Sequence, residues 1–202
     1  MSDVVLHLPV QRYEAFIFDC DGTLVDSMPL HFEAWRHALQ RFDAPFEFTW
    51  TLFNSRAGMG LEQTVRELNR QFSTQLDPAA VVRAQVDASE QLLASVQPIE
   101  AVARFAREVA AASPVSVASG GQRHHVEQSL RVTGLSPLFP LVITQEDVTR
   151  GKPDPQMFLL AAERMGVSPE RCLVVEDSPL GLEAAAAAGM GRAWVEHRGL
   201  GG

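Results

Sequence analysis

The sequence predicts an α/β fold, a parallel sheet covered by helices on both faces and interrupted by an all-helical insertion. Three observations predict it: short apolar runs that stop at turn residues, amphipathic patterns of helical period between those runs, and a stretch after the first run that carries helical patterns and no strand.

In chain order, Ala15-Phe16-Ile17-Phe18 is the first run. It is apolar throughout rather than alternating, as a strand buried on both faces should be, and it stops at an Asp/Gly turn. Residues 29–96 then break the strand rhythm. Trp35, Ala38, Leu39 and Phe42 form one helical stripe and Leu61, Val65, Leu68 and Phe72 another, while Asp77-Pro78 supplies an N-cap and an N1 proline for a third helix. Val102, Phe105, Ala106 and Val109 recur at helical spacing before the next strand run, Pro114–Ala118. Two more runs, Leu141–Thr144 and Cys172–Val175, alternate with helical patterns at Gln156–Met165 and Leu180–Ala188, and Arg192–Val195 is a fifth candidate strand. Gly134, Gly166 and Gly189 each stand where a helix needs a left-handed C′ residue. The expected division is an α/β core of residues 1–28 and 97–202 with a helical domain at 29–96; the alternative is that the inserted helices pack directly on the sheet. Gly199–Gly202 reads as a flexible tail.

Of the 202 residues 46% are hydrophobic and 21% charged, which excludes a disordered chain, and the net charge of −8 argues against a nucleic-acid partner. Any bound phosphate must be held locally, by a metal ion or a few placed donors. The two cysteines, Cys20 and Cys172, lie in or beside strand runs, so a disulfide framework is not expected and a reducing, cytoplasmic compartment is. Met1–Val10 lacks the pattern of a signal peptide, and no apolar stretch is long enough to span a bilayer, so no membrane partner is expected.

Asp19-Cys20-Asp21-Gly22-Thr23 follows the first strand directly, placing two carboxylates where open α/β sheets bind ligands. Such a pair beside a glycine invites a divalent cation, although an ordinary Asx turn has the same composition. A calcium EF-hand is excluded, because its glycine belongs at the sixth position. Later strand runs end in Ser119-Gly120-Gly121 and Glu176-Asp177, and Gly151-Lys152-Pro153 lies between them. Each alone has a commonplace reading: an N-cap, a solvated lysine, acids favouring a helix dipole. No GxxxxGK[ST] loop occurs, Gly58-Met59-Gly60 lacks the context of a dinucleotide fingerprint, and the six histidines show no metal-ligand spacing.

Taken together and in order, these four motifs resemble those of the haloacid dehalogenase-like hydrolases, whose phosphatases carry DxDGT after the first strand; the resemblance spans nearly the whole chain. It implies a Rossmann-like core with an inserted helical cap domain and an Mg2+-dependent phosphatase acting on a small phosphorylated metabolite. Asp19 would be the nucleophile, Asp21 the acid and base, and Ser119 and Lys152 the groups holding phosphoryl oxygens. Asp19, the Asp21 carbonyl and Asp177 would ligate the metal, with Glu176 as a direct or outer alternative. Thr23, His31, Gly58, Gly120 and Gly121 join Ser119 and Lys152 as expected substrate-binding positions. Pro29–Arg36 resembles the cap entry of the branch containing β-phosphoglucomutase and sugar phosphatases. Leu61 stands where the mutase carries a phosphate-gripping arginine, which favours hydrolysis, with Arg56 near enough to substitute. Glu67-Leu68-Asn69, Asp77-Pro78 and Met165–Pro169 resemble the bacterial fructose-1-phosphate phosphatase-like subgroup. A monomer or weak dimer is expected. A metal-independent 2-haloacid dehalogenase is disfavoured by Asp21, and a non-catalytic phosphate binder by the intact set of motifs.

Overall fold

Each apolar run forms a strand, and the computed structural model, which describes residues 3–56 and 59–198, adds one more. Gly58 and the Gly199–Gly202 run lie outside the described residues. The strands are β1 (Asp3–His7), β2 (Ala15–Phe18), β3 (Val115–Ala118), β4 (Leu141–Ile143), β5 (Cys172–Glu176) and β6 (Gly191–Arg198). They make one six-stranded sheet in the order β1-β6-β5-β2-β3-β4. Every pair is parallel except β1 with β6, which is antiparallel. The expected parallel sheet thus carries one antiparallel strand at its edge. Pro114 falls outside β3, as a residue without an N–H should, although its carbonyl still accepts from Phe16 N at 3.1 Å.

The helices are α1 (Met28–Arg41), α2 (Trp50–Asn54), α3 (Leu61–Phe72), α4 (Pro78–Leu93), α5 (Glu100–Ala110), α6 (Arg123–Val132), α7 (Gln156–Met165) and α8 (Pro179–Ala187). The chain forms two compact units, Met1–Asp26 with Val96–Gly202, and Ser27–Ser95.

In the α/β unit the continuous apolar strands serve two faces at once. Ala15, Ile17, Cys172 and Val174 pack with Met157, Phe158 and Ala161 of α7 and with Ala184 and Ala185 of α8. The alternate residues Phe16 and Phe18 meet Phe105 of α5 on the other face, at ring-centroid distances of 5.7 and 6.0 Å. Gly134, Gly166 and Gly189 have φ of +71°, +69° and +72°, the left-handed values their helix-end positions call for.

The helical unit has its own core of Trp35, Ala38, Leu39, Phe48, Val65, Leu68, Val81 and Ala84. Phe42, Leu61 and Phe72, the ends of the two stripes, sit at its margin. Asp77 caps α4 through Ala79 N and Ala80 N at 3.0 and 3.3 Å, with Pro78 at the first helical position. The Asn69 side chain closes the α3–α4 connection, donating to Leu76 O at 2.8 Å while its Oδ1 accepts from Leu76 N at 2.9 Å and Thr74 Oγ1 at 2.7 Å. No helix among the described residues is long and apolar enough to cross a membrane.

Leu68 is fully buried, whereas Leu159 on α7 is 39% exposed. In urea denaturation Leu68→Ala is expected to lose about 3 kcal/mol and Leu159→Ala less than about 1 kcal/mol.

Candidate active site

The site lies at the carboxyl ends of the central strands, where the chain order departs from β2 in both directions. Asp19 extends β2, its N–H donating to Val175 O at 3.0 Å, and is 6% exposed. The chain then wraps tightly, because the Cys20 carbonyl accepts N–H bonds from Thr23, Leu24 and Val25 at 3.2, 2.9 and 3.0 Å. Gly22 permits this turn on two counts. Its φ is +81°, and a Cβ there would stand 2.4 Å from Asp177 Oδ2.

Glu176 ends β5 and is buried. Its Oε2 accepts from Ser178 N at 2.5 Å, and its Oε1 accepts from Lys152 Nζ at 2.6 Å. Helix α8 approaches it closely: Ser178 caps the helix, and at Gly181 a Cβ would fall 1.7 Å from Glu176 Oε1. Lys152 also donates to Asp19 Oδ1 at 2.6 Å, and its Nζ lies 5.2 Å from the ring centroid of buried Phe158. The loop that carries Lys152 is fastened by Gln156, whose Oε1 accepts from Thr149 N, Thr149 Oγ1 and Arg150 N at 3.0 to 3.1 Å.

Ser119 ends β3, where its N–H donates to Ile143 O at 3.0 Å and its Oγ accepts from Gly121 N at 3.0 Å. A Cβ on Gly121 would lie 3.2 Å from Ser119 Oγ and 3.3 Å from Asp21 Oδ2, so these three residues adjoin; Gly120 has open space beside it. Thr23, expected among the substrate-binding groups, is fully buried and donates its hydroxyl to Asp177 Oδ1 at 3.0 Å. It orients a carboxylate. His31 is half-buried in the first turn of α1, in the helical unit, and Gly58 lies outside the described residues.

One residue escaped the sequence reading. His197, near the end of β6, places Nε2 at 2.6 Å from Gly22 O and 3.9 Å from Asp177 Oδ2. The apolar run that identifies β6 stops at Val195, and only the pairing with β1 carries the strand to His197.

Carboxylate oxygens of Asp19, Glu176 and Asp177 all lie within 4.8 Å of one another. Burial raises the Asp19 carboxyl well above the ordinary aspartate value, Lys152 pulls it back, and Glu176 and Asp177 push it up again. Burial, with the charge of Glu176 added, pushes Asp177 up to about 7. Burial also works against the Lys152 charge, yet Asp19 and Glu176 outweigh it and hold the ammonium above the ordinary lysine value. Three carboxylates against one ammonium leave two negative charges uncompensated, which with all-oxygen donors suits a hard divalent cation.

Residues 13–189 match the family model for haloacid dehalogenase-like hydrolases. The chain is 36% identical over 182 residues to the fructose-1-phosphate phosphatase YqaB of Escherichia coli K12, covering 89% of this chain and 95% of that protein. It is 25% identical over 185 residues to the β-phosphoglucomutase of Bacillus subtilis 168, covering 88% of this chain and 80% of the relative. The crystal structure of a conserved haloacid dehalogenase-like protein of unknown function, ATU0790 from Agrobacterium tumefaciens C58, superposes with a TM-score of 0.78 at 31% identity, covering 89% of this chain and 81% of that one.

Two outcomes follow from this geometry. Gly181→Ala drives a methyl into the Glu176 carboxylate and is expected to cost about 3 kcal/mol in urea denaturation, against less than about 1 kcal/mol for Gly151→Ala, where a Cβ meets open space. Because Asp177 keeps its proton up to about 7, proton and cation compete for it below that pH. Divalent-cation affinity, measured calorimetrically, is expected to fall about tenfold per pH unit from pH 7 towards pH 5 and to level off above pH 8.

Proposed function

Because the chain belongs to the haloacid dehalogenase-like hydrolase family, we propose that it is an Mg2+-dependent phosphatase that hydrolyses a small phosphorylated sugar through an aspartyl-phosphate on Asp19. The observation that carries this reading is the convergence of Asp19, Lys152, Glu176 and Asp177 at one sheet end, with a single ammonium bonded to two of the three carboxylates.

Asp19 attacks phosphorus, and the bond from phosphorus to the sugar oxygen breaks as Asp21 protonates that oxygen. Asp21 then takes a proton from the water that attacks the aspartyl-phosphate, which releases inorganic phosphate and restores Asp19. Lys152 and the Ser119 hydroxyl hold phosphoryl oxygens, and the backbone at Gly120 and Gly121 closes over them. A protonated Asp19 would be a poor nucleophile, and the Lys152 contact acts against the burial that raises its pKa. When bound, Mg2+ supplies positive charge that offsets the carboxylates and the phosphoryl oxygens. Asp19, the Asp21 carbonyl and Asp177 would hold it. Glu176 is the weaker candidate, since its two oxygens are engaged by Lys152 and by Ser178 N–H.

The helical unit, with His31, serves as the cap that selects the sugar. The relative YqaB makes fructose 1-phosphate the substrate of choice. Hydrolysis is favoured over a mutase reaction by Leu61 and by the engagement of Arg56, whose Nη1 donates to Leu52 O and Ser55 Oγ at 2.9 Å each and whose Nη2 donates to Gln71. The net charge of −8 favours a small metabolite over a nucleic acid as partner, and two buried free thiols suit a reducing compartment.

Phosphate release from fructose 1-phosphate is expected to require Mg2+, to stop with a chelator, and to fall by more than about 1,000-fold in Asp19→Asn. Hydrolysis of other sugar phosphates but not this ester would remove the substrate assignment, and full turnover in Asp19→Asn would remove the covalent step.

A further inference from the structure

We propose that His197 is a positioning residue of this site: by holding the Gly22 carbonyl it fixes the Asp19–Thr23 turn against Asp177 and so sets the affinity for the divalent cation. The inference rests on the phosphatase reading above.

The position is created by the antiparallel edge. β5 pairs with β6 only as far as Glu176↔Trp194, whereas β1 pairs with β6 on to Val4↔His197 and Asp3↔Arg198. β6 thus continues past the end of its parallel neighbour and overhangs the carboxyl edge of the sheet. Ala193 and Val195 point inward and are buried, and His197, two residues further, points the same way with its side chain 16% exposed.

A carbonyl oxygen can only accept, so the 2.6 Å contact to Gly22 O makes Nε2 the protonated ring nitrogen. The same nitrogen is 3.9 Å from Asp177 Oδ2. Asp177 is thereby enclosed on three sides: Thr23 donates to its Oδ1, Gly22 presses on its Oδ2 with no room for a Cβ, and His197 stands beyond. The clamp falls on the one residue of the turn with no side chain to restrain it. Gly22 has a φ of +81°, and tying its carbonyl from outside restricts the freedom that glycine leaves, one peptide away from the Asp21 carbonyl.

A purely structural role fits poorly. The other ring nitrogen, Nδ1, is buried without a protein partner, so packing alone would favour an apolar side chain at this inward position.

The test pairs two amides of similar polarity. A glutamine side chain carries its amide as far as Nε2, whereas an asparagine side chain reaches only to Nδ1, so His197→Gln retains the bond to Gly22 and His197→Asn removes it. Calorimetric titration of substrate-free protein with MgCl2 is expected to give affinity within about threefold of wild type for His197→Gln and about tenfold weaker for His197→Asn. His197→Gln should keep the wild-type melting temperature, and His197→Asn should lower it by only a few degrees, roughly 4 °C. Both should keep the KM for para-nitrophenyl phosphate, and saturating Mg2+ should restore kcat in His197→Asn. Equal Mg2+ affinity in all three proteins overturns the inference, as does parallel loss of affinity and melting temperature in both variants. Nitrogen-15 resonances of the wild-type His197 ring provide a readout that needs no variant: the Nε2–H form supports the proposal and the Nδ1–H form overturns it. If the wild-type protein binds no Mg2+, the phosphatase reading falls first and this inference with it.

Discussion

Lys152 carries one positive charge into a space where three carboxylates meet, and the arrangement of the site depends on it. At an effective dielectric constant near 20, two like charges about 4 Å apart repel by about 4 kcal/mol. Asp19, Glu176 and Asp177, with oxygens within 4.8 Å of one another, could not all be ionised without relief. The 2.6 Å bonds from Nζ to Asp19 and to Glu176 give that relief on one side and leave Asp177 in deficit on the other. The same asymmetry divides the labour. Glu176 is fully occupied within the protein, while Asp177 keeps a carboxylate suited to exchanging a proton for a cation.

The backbone around this charge is shaped by what is missing from it. Gly22 and Gly181 occupy places where a methyl would strike Asp177 or Glu176. Helix α8 can therefore approach Glu176 and the Asp19–Thr23 turn Asp177 at close range, and Ser178 brings its N–H to Glu176 while its hydroxyl caps the helix. Glycine in the first turn of a helix is a poor helix former, and its presence at 181 is explained by the carboxylate it admits.

Much of this was legible in the chain because the determinants are local. Apolar runs mark β2, β3, β4 and β5, and Asp19, Ser119 and Asp177 each directly follow a strand, whereas Lys152 is set further along the chain after β4. Asp77-Pro78 and the left-handed glycines announce helix ends by backbone chemistry alone. What was not legible depends on partners distant in sequence. Val4, Val5 and Leu6 form a strand by pairing with residues 195–197, a partner that their own short apolar run does not identify. His197 was hidden for the same reason. Thr23 was readable as a site residue but not as the donor to Asp177, since that bond spans 154 positions.

The antiparallel clasp of β1 with β6 also bears on how the molecule is made. The segment Asp3–His7 is translated before its partner Trp194–Arg198, with the whole intervening chain between them. Throughout that interval β1 lacks the strand edge it pairs with, and the Asp19–Thr23 turn lacks the imidazole that later rests on it. Completion of the Asp19–Thr23 turn is thus coupled to the synthesis of β6, although the two are far apart in sequence.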